Sequence, residues 1–103
     1  MENTMIYPKR INVRWRWDGE DDSYITYQNP RNGSISILNP VAATIFSYSD
    51  GKNSIADIIR KLMDEFEIED ESLVSGDVLK FVDEMQKQNI VILLDGEEKT
   101  EIV

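Results

Sequence analysis

Apolar and polar residues alternate over residues 11–17, placing Ile11, Val13, Trp15 and Trp17 on one side of an extended strand and Asn12, Arg14 and Arg16 on the other. The acidic turn Asp18-Gly19-Glu20-Asp21-Asp22 ends that strand, and residues 23–28 carry the aromatic and β-branched side chains of a second. Asn29-Pro30-Arg31-Asn32-Gly33 turns the chain again into a short third strand over residues 34–38. The first third is therefore predicted to be a three-stranded antiparallel meander. At Asn39-Pro40 the period changes. Asn as cap and Pro at the first helical position open a short helix running to about Ser49, and Asp50-Gly51 stops it. Ser54, with Asp57 three residues on, caps a second helix that gathers Ile55, Ile58, Ile59, Leu62, Met63 and Phe66 on one face. A third helix lies between Asp70 and Gln88; Gly76 leaves its start open, with Ser75 an alternative cap, and Asn89 closes it. Residues 90–94 are an apolar run short enough for a final strand or a wing.

Strands first, then three helices, predict an α+β domain: a three-stranded antiparallel sheet followed by three helices packed on one side of it, the helical part winged-helix-like. A length of 103 residues allows one modest core. The expected organisation is a flexible amino terminus over 1–10, one domain over 11–94 and a flexible tail over 95–103.

Composition removes whole classes of chemistry. Cysteine and histidine are both absent, which takes away disulfides, thiolate nucleophiles, the usual general base near neutral pH and the common ligands of zinc. Twenty acidic against 11 basic residues give a net charge of −9, which repels phosphate backbones and makes nucleic acid a poor partner. No apolar run approaches the roughly 18 residues of a membrane helix, and the polar start Met1-Glu2-Asn3-Thr4 lacks the regions of a secretory signal. A soluble cytoplasmic protein is expected, with no membrane partner.

The remaining candidates for chemistry are weak. Carboxylates crowd residues 18–22 and 67–71, but the first cluster lacks the ligand spacing and closing Glu of an EF-hand loop, and both read as hydrated surface charge. The five glycines form no phosphate-binding pattern. Trp15 and Trp17 alternate with Arg14 and Arg16, yet a strand puts the tryptophans on one face and the arginines on the other, so the rings are expected to pack on helices rather than stack bases. No catalytic residue, metal site or cofactor is expected.

Two features point to binding instead. On the third helix Phe81, Val74, Met85, Val78, Val82 and Leu79 span an arc of roughly 160°, wider than the ~100° stripe of a core-facing helix. A helix buried on two sides and a helix with a leftover apolar groove both fit that arc. The short strand over 34–38, if it lies at the sheet edge, offers free N–H and C=O groups on which an extended peptide can pair. Only one of Ile35 and Ile37 is expected to turn its N–H to such a peptide.

These features sit inside a longer pattern. Leu38-Asn39-Pro40-Val41-Ala42-Ala43-Thr44-Ile45-Phe46, then Asp50-Gly51-Lys52-Asn53-Ser54-Ile55-Ala56-Asp57-Ile58, then Asp77-Val78-Leu79-Lys80-Phe81-Val82-Asp83-Glu84-Met85 resemble the PqqD family in order and spacing. Asn89-Ile90-Val91 stands where that family often has Gly-Leu-Leu, and the match covers roughly residues 24–94 in one register. The resemblance implies a standalone peptide recognition element that binds the leader of a ribosomally synthesised precursor peptide and presents it to a modifying enzyme, frequently a radical S-adenosylmethionine enzyme. The leader is expected to add as a strand beside the third strand, with apolar side chains entering a cleft against the third helix. Carried over by position, Ser34, Ile35, Ser36, Ile37 and Leu38 supply the pairing backbone, and Val78, Leu79, Val82 and Met85 are the candidates for the cleft. Without cysteine the chain has no thiolates for an iron–sulfur cluster, so it is expected to act in trans on such an enzyme. The chain is expected to be a monomer or a dimer. Two alternatives are a winged-helix DNA-binding regulator, opposed by Asp77, Asp83 and Glu84 against Lys80 and Lys87 on the third helix, and an unrelated protein–protein adaptor.

Overall fold

A computed structural model describes residues 5–11 and 13–96. It is an α+β fold whose elements run β1 (Tyr7–Arg10), β2 (Arg14–Asp18), β3 (Tyr24–Gln28), β4 (Ile35–Leu38), α1 (Pro40–Tyr48), α2 (Ile55–Glu65), α3 (Glu71–Lys87) and β5 (Val91–Leu94). The expected antiparallel meander is present as the sheet β2-β3-β4, and a second, two-stranded sheet joins β1 to β5. The strand expected from Ile11 begins instead at Arg14, although Val13, Trp15 and Trp17 still pack on the core.

The expected flexible end over 1–10 contains an element of the fold. Tyr7–Arg10 pairs antiparallel with Val91–Leu94, Tyr7 opposite Leu94 and Arg10 opposite Val91. The same segment stitches the α1–α2 loop in place. The Gly51 N–H donates to the Pro8 carbonyl at 2.8 Å, the Ile55 N–H to Ile6 at 2.9 Å, and the Arg10 N–H to Ser49 at 2.9 Å. Pro8 breaks any alternating pattern and donates no ladder bond, which explains why the strand carries no sequence signature. Residues 1–4 and 97–103 of the expected termini lie outside the described residues.

Each helix starts where a side chain satisfies its first N–H groups. Asn39 Oδ1 accepts from the Ala42 N–H at 2.9 Å, with Pro40 at the first position. Ser54 and Asp57 close a reciprocal capping box, both bonds 3.0 Å. For α3 the cap is Asp70, not Ser75, so Gly76 lies inside the helix. Asn89 then takes a left-handed φ of 63° and the Ile90 N–H returns to the Met85 carbonyl at 3.0 Å, ending α3.

The core lies between the inner face of the three-stranded sheet and the helices, with Phe46, Ile25, Ile45, Ile58, Leu62 and Val78 almost fully buried. Phe46 meets Trp15 edge-on at 5.5 Å and stacks on Tyr27 at 5.6 Å. Arg10 closes this cluster from the other sheet. Its guanidinium lies 4.6 Å from the Trp15 ring centroid and donates to the Phe46 and Ser47 carbonyls at 2.6 and 2.9 Å, satisfying the last turn of α1. Burial pulls the Arg10 guanidinium below its ordinary value, opposed by Asp50.

Two consequences are measurable. A Cβ placed on Gly76 meets nothing within 4 Å, so Gly76→Ala is expected to raise stability by about 0.5–1 kcal/mol in urea unfolding. The Asp57 carboxyl is held below its ordinary 3.8, first by the Ser54 N–H and then by Arg60 and the Ser54 hydroxyl, against a desolvation effect. A depressed folded value means that this contribution is complete above the unfolded value and is lost as pH falls from 3.8 through the lowered one. Asp57→Asn is accordingly expected to flatten the fall of the urea midpoint as pH drops below 3.8.

Candidate functional site

β4 is paired on one side only. It is an edge strand, and among the described residues no strand covers its outer side. The register sets Ile25 opposite Leu38, Thr26 opposite Ile37, Tyr27 opposite Ser36 and Gln28 opposite Ile35, and the next bond outward runs from the Asn29 N–H to the Ser34 carbonyl at 2.8 Å. In an antiparallel ladder main-chain groups alternate in direction. Ser34 therefore turns its carbonyl toward β3, Ser36 and Leu38 turn their groups the same way, and Ile35 and Ile37 turn theirs to the open edge. This corrects the expectation that only one of Ile35 and Ile37 turns its N–H outward: residues two apart in a strand share a direction, so both face the open edge.

The side chains divide just as cleanly. On the inner face Trp15, Tyr27 and Ser36 form one row across the sheet and Trp17, Ile25 and Leu38 another, with Leu38 buried and Ser36 half-buried. On the outer face the rows are Arg14-Gln28-Ile35 and Arg16-Thr26-Ile37. Ile35 and Ile37 are 66% and 68% exposed. Proteins usually blunt an open edge with charge, proline or a bulge; Ile35-Ser36-Ile37-Leu38 carries no charged residue and no proline.

The candidates on α3 are not brought together in one cleft. Val78, Val82 and Met85 are core residues, 0–4% exposed alongside Val74. Leu79 is partly exposed, and it borders an open recess of ≈ 410 Å³ with Ile6, Ile55, Val82, Asp83, Gln86 and Leu93. The carboxyl end of α3 is bonded to the sheet. Gln88 Oε1 accepts from the Tyr27 hydroxyl at 3.1 Å and from Asn29 Nδ2 at 3.2 Å, tying the end of α3 to β3. Phe81 stands seven residues earlier, about two helical turns, and is half-buried against the core. At ~100° per residue, Leu79 is about 160° from Phe81 around the helix. Phe81 and Leu79 stand at opposite ends of the wide apolar arc, whose centre is buried at Val74, Val78, Val82 and Met85, and Phe81 is the end on the Gln88 side of the helix.

Among the described residues no three Asp or Glu side chains converge as a metal ligand set, and no helix is long and apolar enough to cross a membrane. The outer face has a shallow recess of ≈ 400 Å³ bordered by Arg14, Arg16, Thr26, Gln28 and Ile35.

An open β edge backed by a helical layer defines a small α+β module suited to pairing with an extended chain. The family model described as coenzyme PQQ synthesis protein D (PqqD) matches residues 27–91, from within β3 to the start of β5, and the chain belongs to the PqqD family. This is a family of peptide-binding accessory proteins in the biosynthesis of coenzyme PQQ and other ribosomally synthesised peptide products. No curated protein and no solved structure matches the chain.

The bonding direction of β4 is open to a direct check. Ser36→Pro removes an N–H from the β3–β4 ladder and is expected to cost about 1–3 kcal/mol, whereas Ile37→Pro removes one that faces solvent and is expected to cost far less. Urea unfolding of the two variants reads the difference.

Proposed function

We propose that this chain is a non-catalytic adaptor that binds the leader of a ribosomally synthesised precursor peptide by strand addition at β4 and presents it to a modifying enzyme in the cytoplasm. The observation that supports this reading most strongly is the open edge at Ile35 and Ile37 in a member of a family of peptide-binding accessory proteins. An arriving strand takes up the outward N–H and C=O groups of both residues. Its inner side chains then lie beside Ser36 and the stripe of α3 that carries Phe81, with Val78, Val82 and Met85 forming the wall behind. The modifying enzyme is a radical S-adenosylmethionine enzyme, acting in trans. A net charge of −9 disfavours the DNA-binding alternative, because counterion release from phosphates requires a basic surface.

The test is a titration of isotope-labelled protein with synthetic leaders of short precursor peptides encoded near its gene. Amide shifts are expected at residues 34–38 and around Phe81, and Ile37→Pro is expected to weaken binding about tenfold while leaving the circular dichroism unchanged. Shifts confined to β2 and the turn over 18–22 contradict the proposed site.

A further inference from the structure

Across the two rows that β4 completes, the outer face of the three-stranded sheet is polar except at its open edge. In those rows β2 contributes Arg14 and Arg16, β3 contributes Thr26 and Gln28, and β4 contributes the apolar Ile35 and Ile37, while the remaining row, Asp18 with Tyr24, stops short of β4. These two are about two-thirds exposed and point away from the helices. A flat protein surface docking on this face would meet arginine, threonine and glutamine across two of its three strands. A single added strand behaves differently: its outward side chains come next to β4 and touch β4 alone. Within these two rows the apolar surface is therefore confined to the area that the side chains of one added strand would cover.

Resting on the strand-addition reading, we infer that the bound peptide is recognised on its solvent side as well as through its backbone. It carries two apolar residues at positions i and i+2 that pair across the ladder with Ile37 and Ile35. The register supports this assignment. Ile35 and Ile37 are the residues whose main-chain groups face the open edge, so each stands directly opposite one residue of the incoming strand, and the side chains of such a pair lie on the same face. Directly opposed residues have Cβ atoms about 5 Å apart, and β-branched or aromatic side chains make the most of that distance beside isoleucine. The residue between them, i+1, points to the inner face beside Ser36. The substrate class is thus an extended segment with apolar residues on both faces, its outward pair being Val, Ile, Tyr, Phe or Trp. Ile35 and Ile37 are the specificity-determining residues for that pair.

The experiment selects a random twelve-residue phage-displayed peptide library on the wild-type protein and compares the enriched peptides with the Ile35→Thr/Ile37→Thr variant. Threonine keeps the β-branched shape that suits a strand, and both positions are exposed, so the variant is expected to fold with an unchanged melting temperature. Enriched peptides are expected to share β-branched or aromatic residues two apart, to show NOEs from these to the Ile35 and Ile37 methyl groups, and to bind the variant on the order of tenfold more weakly. Peptides that protect the edge amides of β4 but show no such spacing, or that bind the variant equally well, overturn this inference and leave strand addition standing. Failure to enrich any peptide that perturbs β4 overturns both.

Discussion

Phe46 holds the two halves of the molecule together. Its ring is fully buried between Trp15 of β2 and Tyr27 of β3, and its carbonyl is taken by Arg10 of β1. One residue of α1 thus meets three strands drawn from both sheets. Truncating a buried phenylalanine costs about 3–5 kcal/mol, a large fraction of the roughly 5–15 kcal/mol by which a domain of this size is stable. The position of this contact also decides what remains free. It engages the inner face of β2 and β3, while β4 is held by β3 and by Leu38 in the core, and its far side is left open.

That arrangement separates stability from recognition within a single short strand. Ser36 and Leu38 serve the domain itself, through main-chain bonds to β3 and through the inner rows of the sheet. Ile35 and Ile37 direct both main-chain groups and side chains outward, where changes disturb the core least. The two-residue period of a strand makes this division automatic once the register is fixed. The register is fixed by the Asn29-to-Ser34 bond at the turn and by Leu38, which alone among the β4 side chains is buried.

Local signals in the chain were a good guide to elements and a poor guide to direction. Asn39-Pro40, Ser54 with Asp57, and Asn89 marked helix ends because capping is decided by residues within one turn of each other. The inward tryptophans were equally legible from alternation, and Trp15 does pack on α1. β1 was not, because Tyr7-Pro8-Lys9-Arg10 is a strand only by virtue of β5, more than 80 residues away along the sequence. The same long-range pairing settles the apolar run at 90–94, which pairs with β1 as β5. For the site, the edge strand and its residues 34–38 were visible, whereas the orientation of α3 was not. Val78, Val82 and Met85 are the buried centre of its apolar arc, and Leu79 borders another recess together with Val82, because a periodic pattern marks the arc but not which part of it is covered by the rest of the fold and which is left at the margin.

The account therefore turns on the outward main-chain groups of two isoleucines. Amide hydrogen exchange measured residue by residue across β4, with and without a bound leader peptide, tests it most directly. In the free protein Ser36 and Leu38 are predicted to exchange slowly and Ile35 and Ile37 rapidly, and binding is predicted to slow Ile35 and Ile37 selectively. A leader that binds while the Ile35 and Ile37 amides continue to exchange at their free rate would contradict the account.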